Sequence, residues 1–143
     1  PLTDERMTRF WITIEQAVEF ILKNFSRMRG GEIYVPKIPS MKIVELVDVI
    51  APGKPYHIIG IRPGEKIHEL MVGEDDGRHT VEYGDHFMII PESVSGNPEA
   101  LELYLRGRKE KLLHDGFTYS SANNPLWINK NELKAVIKPY LDS

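Results

Sequence analysis

Arg62 and Glu65 stand close together in the run GIRPGEKIHELM (60–71), joined by Pro63 and Gly64. A guanidinium presents a planar fork of donors that matches two phosphate oxygens at once. A carboxylate offers two acceptor oxygens suited to a pair of hydroxyls. The apolar run HIIGI before Arg62 reads as a buried strand, and the carboxyl end of a strand is where open α/β sheets place their ligands. Pro63 and Gly64 force a tight turn and let the backbone come close. On spacing alone two readings stay open. One is a structural Arg/Glu ion pair, which is common on protein surfaces. The other is a grip on an anionic, hydroxyl-bearing ligand. A second arginine, Arg9, sits in TRFWI (8–12), where strand alternation presents it beside Trp11.

Other chemistries find little support. The chain has no G-x-G-x-x-G or Walker-type loop, no tyrosine with a lysine four residues later and no G-x-S-x-G elbow. It therefore shows no cofactor seat of its own. The five histidines make no zinc spacing. Glu65, His68 and Glu69 could share a helix face around a metal, but a solvated acidic face is the plainer reading, and no metal is expected. The 143 residues contain no cysteine, which excludes disulfides and thiolate chemistry and fits a reducing compartment. The net charge of −3, with scattered basic residues, does not fit a nucleic-acid partner. No apolar run is long enough to span a membrane and no signal peptide is visible, so the expected location is the cytoplasm. The start at Pro1 hints at an upstream part.

The elements that position these residues follow from periodicity. Thr8 to Ile12 reads as a strand. Thr13 with Gln16 makes a capping box for a helix whose stripe is Ile14, Val18, Ile21, Leu22, Phe25 and Met28, stopping at Gly30-Gly31. EIYV (32–35) is a second strand. Ser40 caps a second helix with Ile43, Val44, Leu46, Val47 and Ile50 inward, and YHIIGI (56–61) is a third strand. This alternation predicts an α/β unit with parallel pairing. TVEYGDHFMIIP reads as a hairpin turning near Gly84-Asp85, and a short helix falls around Glu99 to Leu105. Asn129 with Glu132 caps a last helix carrying Leu133, Val136 and Ile137, which Pro139 should end.

The runs MTRFWIT (7–13), GGEIYVPKIPSMKI (30–43), IIGIRPGEKIHELM (58–71), EDDGRHTVE (74–82) and YSSANNPLW (119–127) resemble the C-terminal part of inverting UDP-N-acetylglucosamine 4,6-dehydratases. These are extended short-chain dehydrogenase/reductases of surface-glycan biosynthesis. The resemblance covers nearly the whole chain, most weakly from Glu92 to Leu113. It implies the fold class: a small mixed α/β sheet with amphipathic helices, the substrate-binding lobe, without the Rossmann lobe. It further implies a nucleotide-sugar-binding lobe over 1–91 and a C-terminal extension over 92–143, with a loop and a final helix.

The resemblance implies roles as well. Arg9 and Arg62 match arginines that contact the UDP diphosphate, Glu65 matches the acid that takes the uridine ribose hydroxyls, and Thr3 lies against the uracil. Asn123, Asn124 and Trp127 belong to a motif that folds back toward the sugar. The implied partners are a UDP-sugar and an N-terminal Rossmann lobe that holds NADP in the parent enzyme, itself a homo-oligomer. In that enzyme NADP takes hydride from C4, water leaves across C5 and C6, hydride returns to C6, and C5 is inverted. The catalytic residues match nothing in this chain, so it is expected to bind but not to react alone. A stand-alone UDP-sugar-binding module, or the lobe of a retaining dehydratase or C4 epimerase, are the alternatives.

Overall fold

The computed structural model describes residues 1–106, 110 and 112–141; residues 107–109, 111, 142 and 143, part of the expected C-terminal extension, lie outside the described residues. In chain order come β1 (Thr8–Phe10), α1 (Ile14–Phe25), β2 (Ile33–Pro36), β3 (Ser40–Lys42), α2 (Ile43–Ile50) and β4 (Leu70–Val72). There follow α3 (Glu74–Gly77), β5 (Thr80–Glu82), β6 (His86–Ile89), α4 (Glu92–Ser95), α5 (Pro98–Leu105), β7 (Tyr119–Ser120) and α6 (Lys130–Leu141). They belong to two compact units interleaved along the sequence: one from Pro1–Trp11, Ile38–Glu69 and the stretch from Ser120, the other from Ile12–Lys37 and Leu70–Tyr119.

In the first unit β1 runs antiparallel to β3, with Arg9 opposite Met41. Beneath them α2 and α6 contribute Val49, Leu133 and Ile137 to a core that also holds Met41 and Ile128, with Trp11, Leu46 and Val136 packed against it. The expected capping box of α6 is present. Asn129 Oδ1 accepts from the Asn131 and Glu132 backbones, and Glu132 Oε2 accepts from Asn129 N–H. Pro139 does not end this helix, which continues to Leu141 with Pro139 inside its last turn. A proline costs least near a helix end exposed to solvent, where few packing contacts depend on straightness.

The second unit is built on the antiparallel sheet β2-β6-β5, in register Val35 to Phe87 and Glu82 to Phe87. Its core is Val81, Met88 and Ile90, closed over by Leu101, Tyr104 and Leu105 of α5. The hairpin between β5 and β6 turns where expected, with Tyr83 N–H donating to His86 O at 2.8 Å. Thr13 and Gln16 form the predicted capping box of α1, which ends at Phe25 rather than at the glycine pair. Beyond it the Glu32 carboxylate takes the backbone N–H groups of Arg29 and Gly30, offering them an alternative to continued helix.

Ser40 does not cap the second helix: it lies in β3, and α2 starts after Lys42 without a side-chain cap. Two further expectations are overturned. The named strands whose register is described pair antiparallel, and the parallel contacts described are isolated bridges, Leu2 to Ile58 and Ser40 to Trp127. YHIIGI is not a buried strand: among the described residues it bridges only to Leu2, and Tyr56, Ile58, Ile59 and Ile61 are all exposed. An apolar run becomes a strand only when a neighbour supplies its hydrogen bonds.

Candidate functional site

The candidate site lies in the first unit, on the loop between α2 and β4. Gly64 has φ +80°, a left-handed backbone that its lack of a Cβ permits. That conformation closes a turn in which Glu65 N–H donates to Arg62 O at 3.0 Å. The Glu65 carboxylate then folds back. Its Oε2 accepts the Arg62 backbone N–H at 3.1 Å, and its Oε1 accepts the Thr3 hydroxyl at 3.1 Å. Three of the residues singled out from the sequence are thus joined in one small network.

The Arg62 guanidinium makes no ion pair with Glu65 and has no partner among the described residues. The surface ion pair, one of the two readings of the spacing, is therefore not what forms. Arg62 is exposed and Glu65 half-buried. What results is a fixed carboxylate beside a free planar cation. Such a pair can take two phosphate oxygens on the fork and a hydroxyl on the remaining carboxylate lone pairs.

Arg9 has the opposite surroundings. Its Nη1 donates to Thr8 O at 2.7 Å and Ile67 O at 3.0 Å, its Nη2 donates to Lys66 O at 2.9 Å, and its Nε faces Glu69 Oε1 at 3.2 Å. The side chain clamps the backbone that follows the Arg62 turn. Thr8 N–H adds a bond to Ile67 O at 3.0 Å, so β1 carries the loop as a strand carries a neighbour.

The C-terminal motif contributes structure. Asn124 is buried, donates from Nδ2 to Ile38 O at 2.7 Å and Ser40 Oγ at 2.9 Å, and accepts Leu126 N–H at 3.1 Å. Asn123 Oδ1 accepts from the Ser120 backbone and hydroxyl. Trp127 is half-exposed on a bridge to Ser40. Ser121 escaped the sequence reading although it lies inside the same motif. It is fully buried, accepts Glu69 N–H at 2.9 Å, and lies 2.6 Å from Thr8 Oγ1. A serine carries no pattern of its own, so only the fold reveals that it ties β1 to the loop.

Near Thr3, Asp4 is held by Arg6 through both its side chain and its backbone, which draws the Asp4 pKa down to about 2. Glu65, His68 and Glu69 lie in a loop rather than on a helix, and no cluster of three or more candidate metal ligands occurs among the described residues. No described helix is long and apolar enough to cross a membrane.

Comparisons with known proteins place the chain in a family. The family described as Polysaccharide biosynthesis protein matches residues 1–91. The inverting UDP-N-acetylglucosamine 4,6-dehydratase of Campylobacter jejuni is 48% identical over 96% of this chain and 41% of its own length. The UDP-glucose 4-epimerase of Rickettsia canadensis is 28% identical, over 95% of this chain and 40% of that protein. Among solved structures, Pen from Bacillus thuringiensis matches with a TM-score of 0.74 at 26% identity, covering 98% of this chain and 41% of that one. The chain thus spans about two fifths of the length of these relatives. Its fold is the small mixed α/β arrangement expected. Because the family match runs from Pro1 through Pro91 and takes in β1, Arg9, Arg62 and Glu65, the chain belongs to the polysaccharide biosynthesis protein family.

Proposed function

We propose that this chain is the nucleotide-sugar-binding portion of an inverting UDP-N-acetylglucosamine 4,6-dehydratase. The observation that carries the reading is the Arg62 to Glu65 turn, with an unspent guanidinium beside a carboxylate already oriented by Thr3 and the backbone. Arg62 takes the diphosphate oxygens and Glu65 takes a ribose hydroxyl. Arg9 clamps the backbone that follows their turn, through the carbonyls of Lys66 and Ile67. Asn123, Asn124 and Trp127 shape the segment that faces the sugar. The identity to the Campylobacter enzyme supports this substrate over that of the more distant epimerase.

The chain binds and orients; the bond-breaking groups belong to an N-terminal Rossmann lobe. NADP does not fit the residues present. The paired glycines Gly30 and Gly31, both with positive φ, lead into strand β2 rather than a helix N-terminus, and the other left-handed glycines are isolated. Support for a missing lobe comes from the second unit. Ile14, Ile21, Leu22 and Phe25 of α1 are between 62% and 75% exposed, an apolar face far too continuous for a helix meant to meet water. The lyase activity, its location in the cytoplasm and a homo-oligomeric parent follow from the same reading.

Titrating UDP and UDP-N-acetylglucosamine into the chain by calorimetry tests it. The expected result is binding of both without turnover, and dehydration only when an N-terminal lobe with NADP is added. Turnover by the chain alone, or no binding of either nucleotide, would end the reading.

A further inference from the structure

Around Ser121 four hydrogen bonds share a few protons, and they can be made together in only one way. Glu69 N–H donates to Ser121 Oγ at 2.9 Å, and Ser121 Oγ–H points to Thr8 O, which can only accept, at 3.1 Å. Ser121 has then spent its proton. The 2.6 Å contact between the two hydroxyls must use the Thr8 proton, donated to Ser121 Oγ. Thr8 Oγ1 is left to accept, and its remaining neighbour is His68 Nδ1 at 2.8 Å. That nitrogen must carry the hydrogen. If the Thr8 proton turned to His68 instead, Ser121 would have to drop its bond to Thr8 O to serve Thr8 Oγ1. Buried hydroxyls, as Thr8 and Ser121 are, favour the arrangement that makes every bond.

We infer that His68 is a further ligand-binding residue of the Arg62 and Glu65 face, held by the Thr8 and Ser121 relay as the tautomer whose Nε2 is a free hydrogen-bond acceptor. This deepens the nucleotide reading and rests on it. His68 follows Glu65 closely on the same loop, and its ring is exposed although its Nδ1 is anchored to a buried strand residue. A solvent-facing imidazole in a purely structural role gains little from two buried hydroxyls that fix its tautomer. An acceptor on the same loop as a free guanidinium and an oriented carboxylate complements a nucleotide, which brings anionic oxygens for Arg62 and hydroxyl or ring N–H donors for Glu65 and His68. Thr8 and Ser121 act as positioning residues, through the imidazole.

The test uses the whole chain with ¹⁵N-labelled histidine at pH 8, where a free imidazole is neutral, and UDP as probe. Long-range ¹H–¹⁵N spectra should show His68 Nδ1 protonated and Nε2 bare, with Nε2 shifting when UDP is added. Ser121→Ala releases the Thr8 proton toward His68 and should invert the tautomer. His68→Asn keeps a donor at the Nδ1 position but loses the acceptor, and should weaken UDP binding roughly three- to tenfold, the loss of one neutral hydrogen bond. His68→Gln, which reaches the Nε2 position, should recover most of it. A wild-type ring protonated on Nε2, or UDP bound equally by wild type and His68→Asn, overturns the inference and leaves the nucleotide reading standing. UDP that does not bind wild type overturns both.

Discussion

Arg9 and Arg62 present the same guanidinium in opposite surroundings. Arg9, on β1, gives hydrogen bonds to the carbonyls of Thr8, Lys66 and Ile67 and meets Glu69, whereas Arg62, on the turn that Arg9 supports, meets nothing among the described residues. Family resemblance assigns both to a diphosphate. The structure separates them by what each has already spent. A fork whose donors are committed to backbone fixes a loop, and one whose donors face water is available to a ligand. In the proposed reading, binding by Arg62 is therefore conditional on folding by Arg9.

The comparison breaks first at Arg9. Arg9→Ala strips partly buried carbonyls of a charged donor and should cost about 3 kcal/mol of stability by denaturant unfolding, within the range for losing charged hydrogen bonds. Arg9→Lys should recover little, because an ammonium cannot span carbonyls that a planar fork bridges. If Arg9→Ala unfolds like wild type but loses UDP, Arg9 is a ligand arginine and the separation fails. Arg62→Ala should do the reverse. UDP affinity is expected to fall by about 1.5 to 3 kcal/mol, read by calorimetry, with a melting temperature that does not move. A drop in melting temperature would mean that Arg62 has a partner in solution.

Much of this arrangement is legible in the sequence, and what is not has a physical reason. Capping boxes are local, and both Thr13 with Gln16 and Asn129 with Glu132 form as read. Apolar stripes say that a face must be covered, not by what. The stripe of α6 is buried in its own unit, Leu133 completely, while the equally clear stripe of α1 is exposed. YHIIGI fails as a strand for the same reason, since strand pairing belongs to the neighbour as much as to the segment. At the site, residue types marked Arg62 and Glu65, and the family resemblance Thr3, but the bonds Arg9 makes to backbone carbonyls, like the proton relay of Ser121, leave no trace in spacing.

A smaller effect sharpens the role of the turn itself. At Gly64 a Cβ meets nothing within 4 Å, so the cost of Gly64→Ala is purely that of a left-handed backbone, about 1 kcal/mol. With room for the methyl group, the turn should survive and UDP affinity should fall less than in Arg62→Ala. An affinity loss as large as that of Arg62→Ala would show that the turn conformation, rather than the guanidinium, limits binding.

Arg6 lies between the two cases and carries the smallest effect. It is exposed like Arg62 but committed like Arg9, to the single carboxylate of Asp4, at 2.9 Å from Nε and 2.7 Å from Nη2. The Arg6 side chain, then its backbone N–H, lower the Asp4 pKa from 3.8 to about 2. A depressed carboxylate stabilises the fold above its unfolded pKa and loses that contribution as pH falls through the folded one. The window is therefore pH 4 down to 2, far from neutrality, and solvent exposure keeps the contribution small. In a carboxyl ¹³C titration Arg6→Ala should return the Asp4 midpoint toward 3.8, with stability at pH 7 nearly unchanged. A midpoint that stays near 2 would place the cause elsewhere. His68, whose charge also favours the Asp4 carboxylate, is the next group to remove.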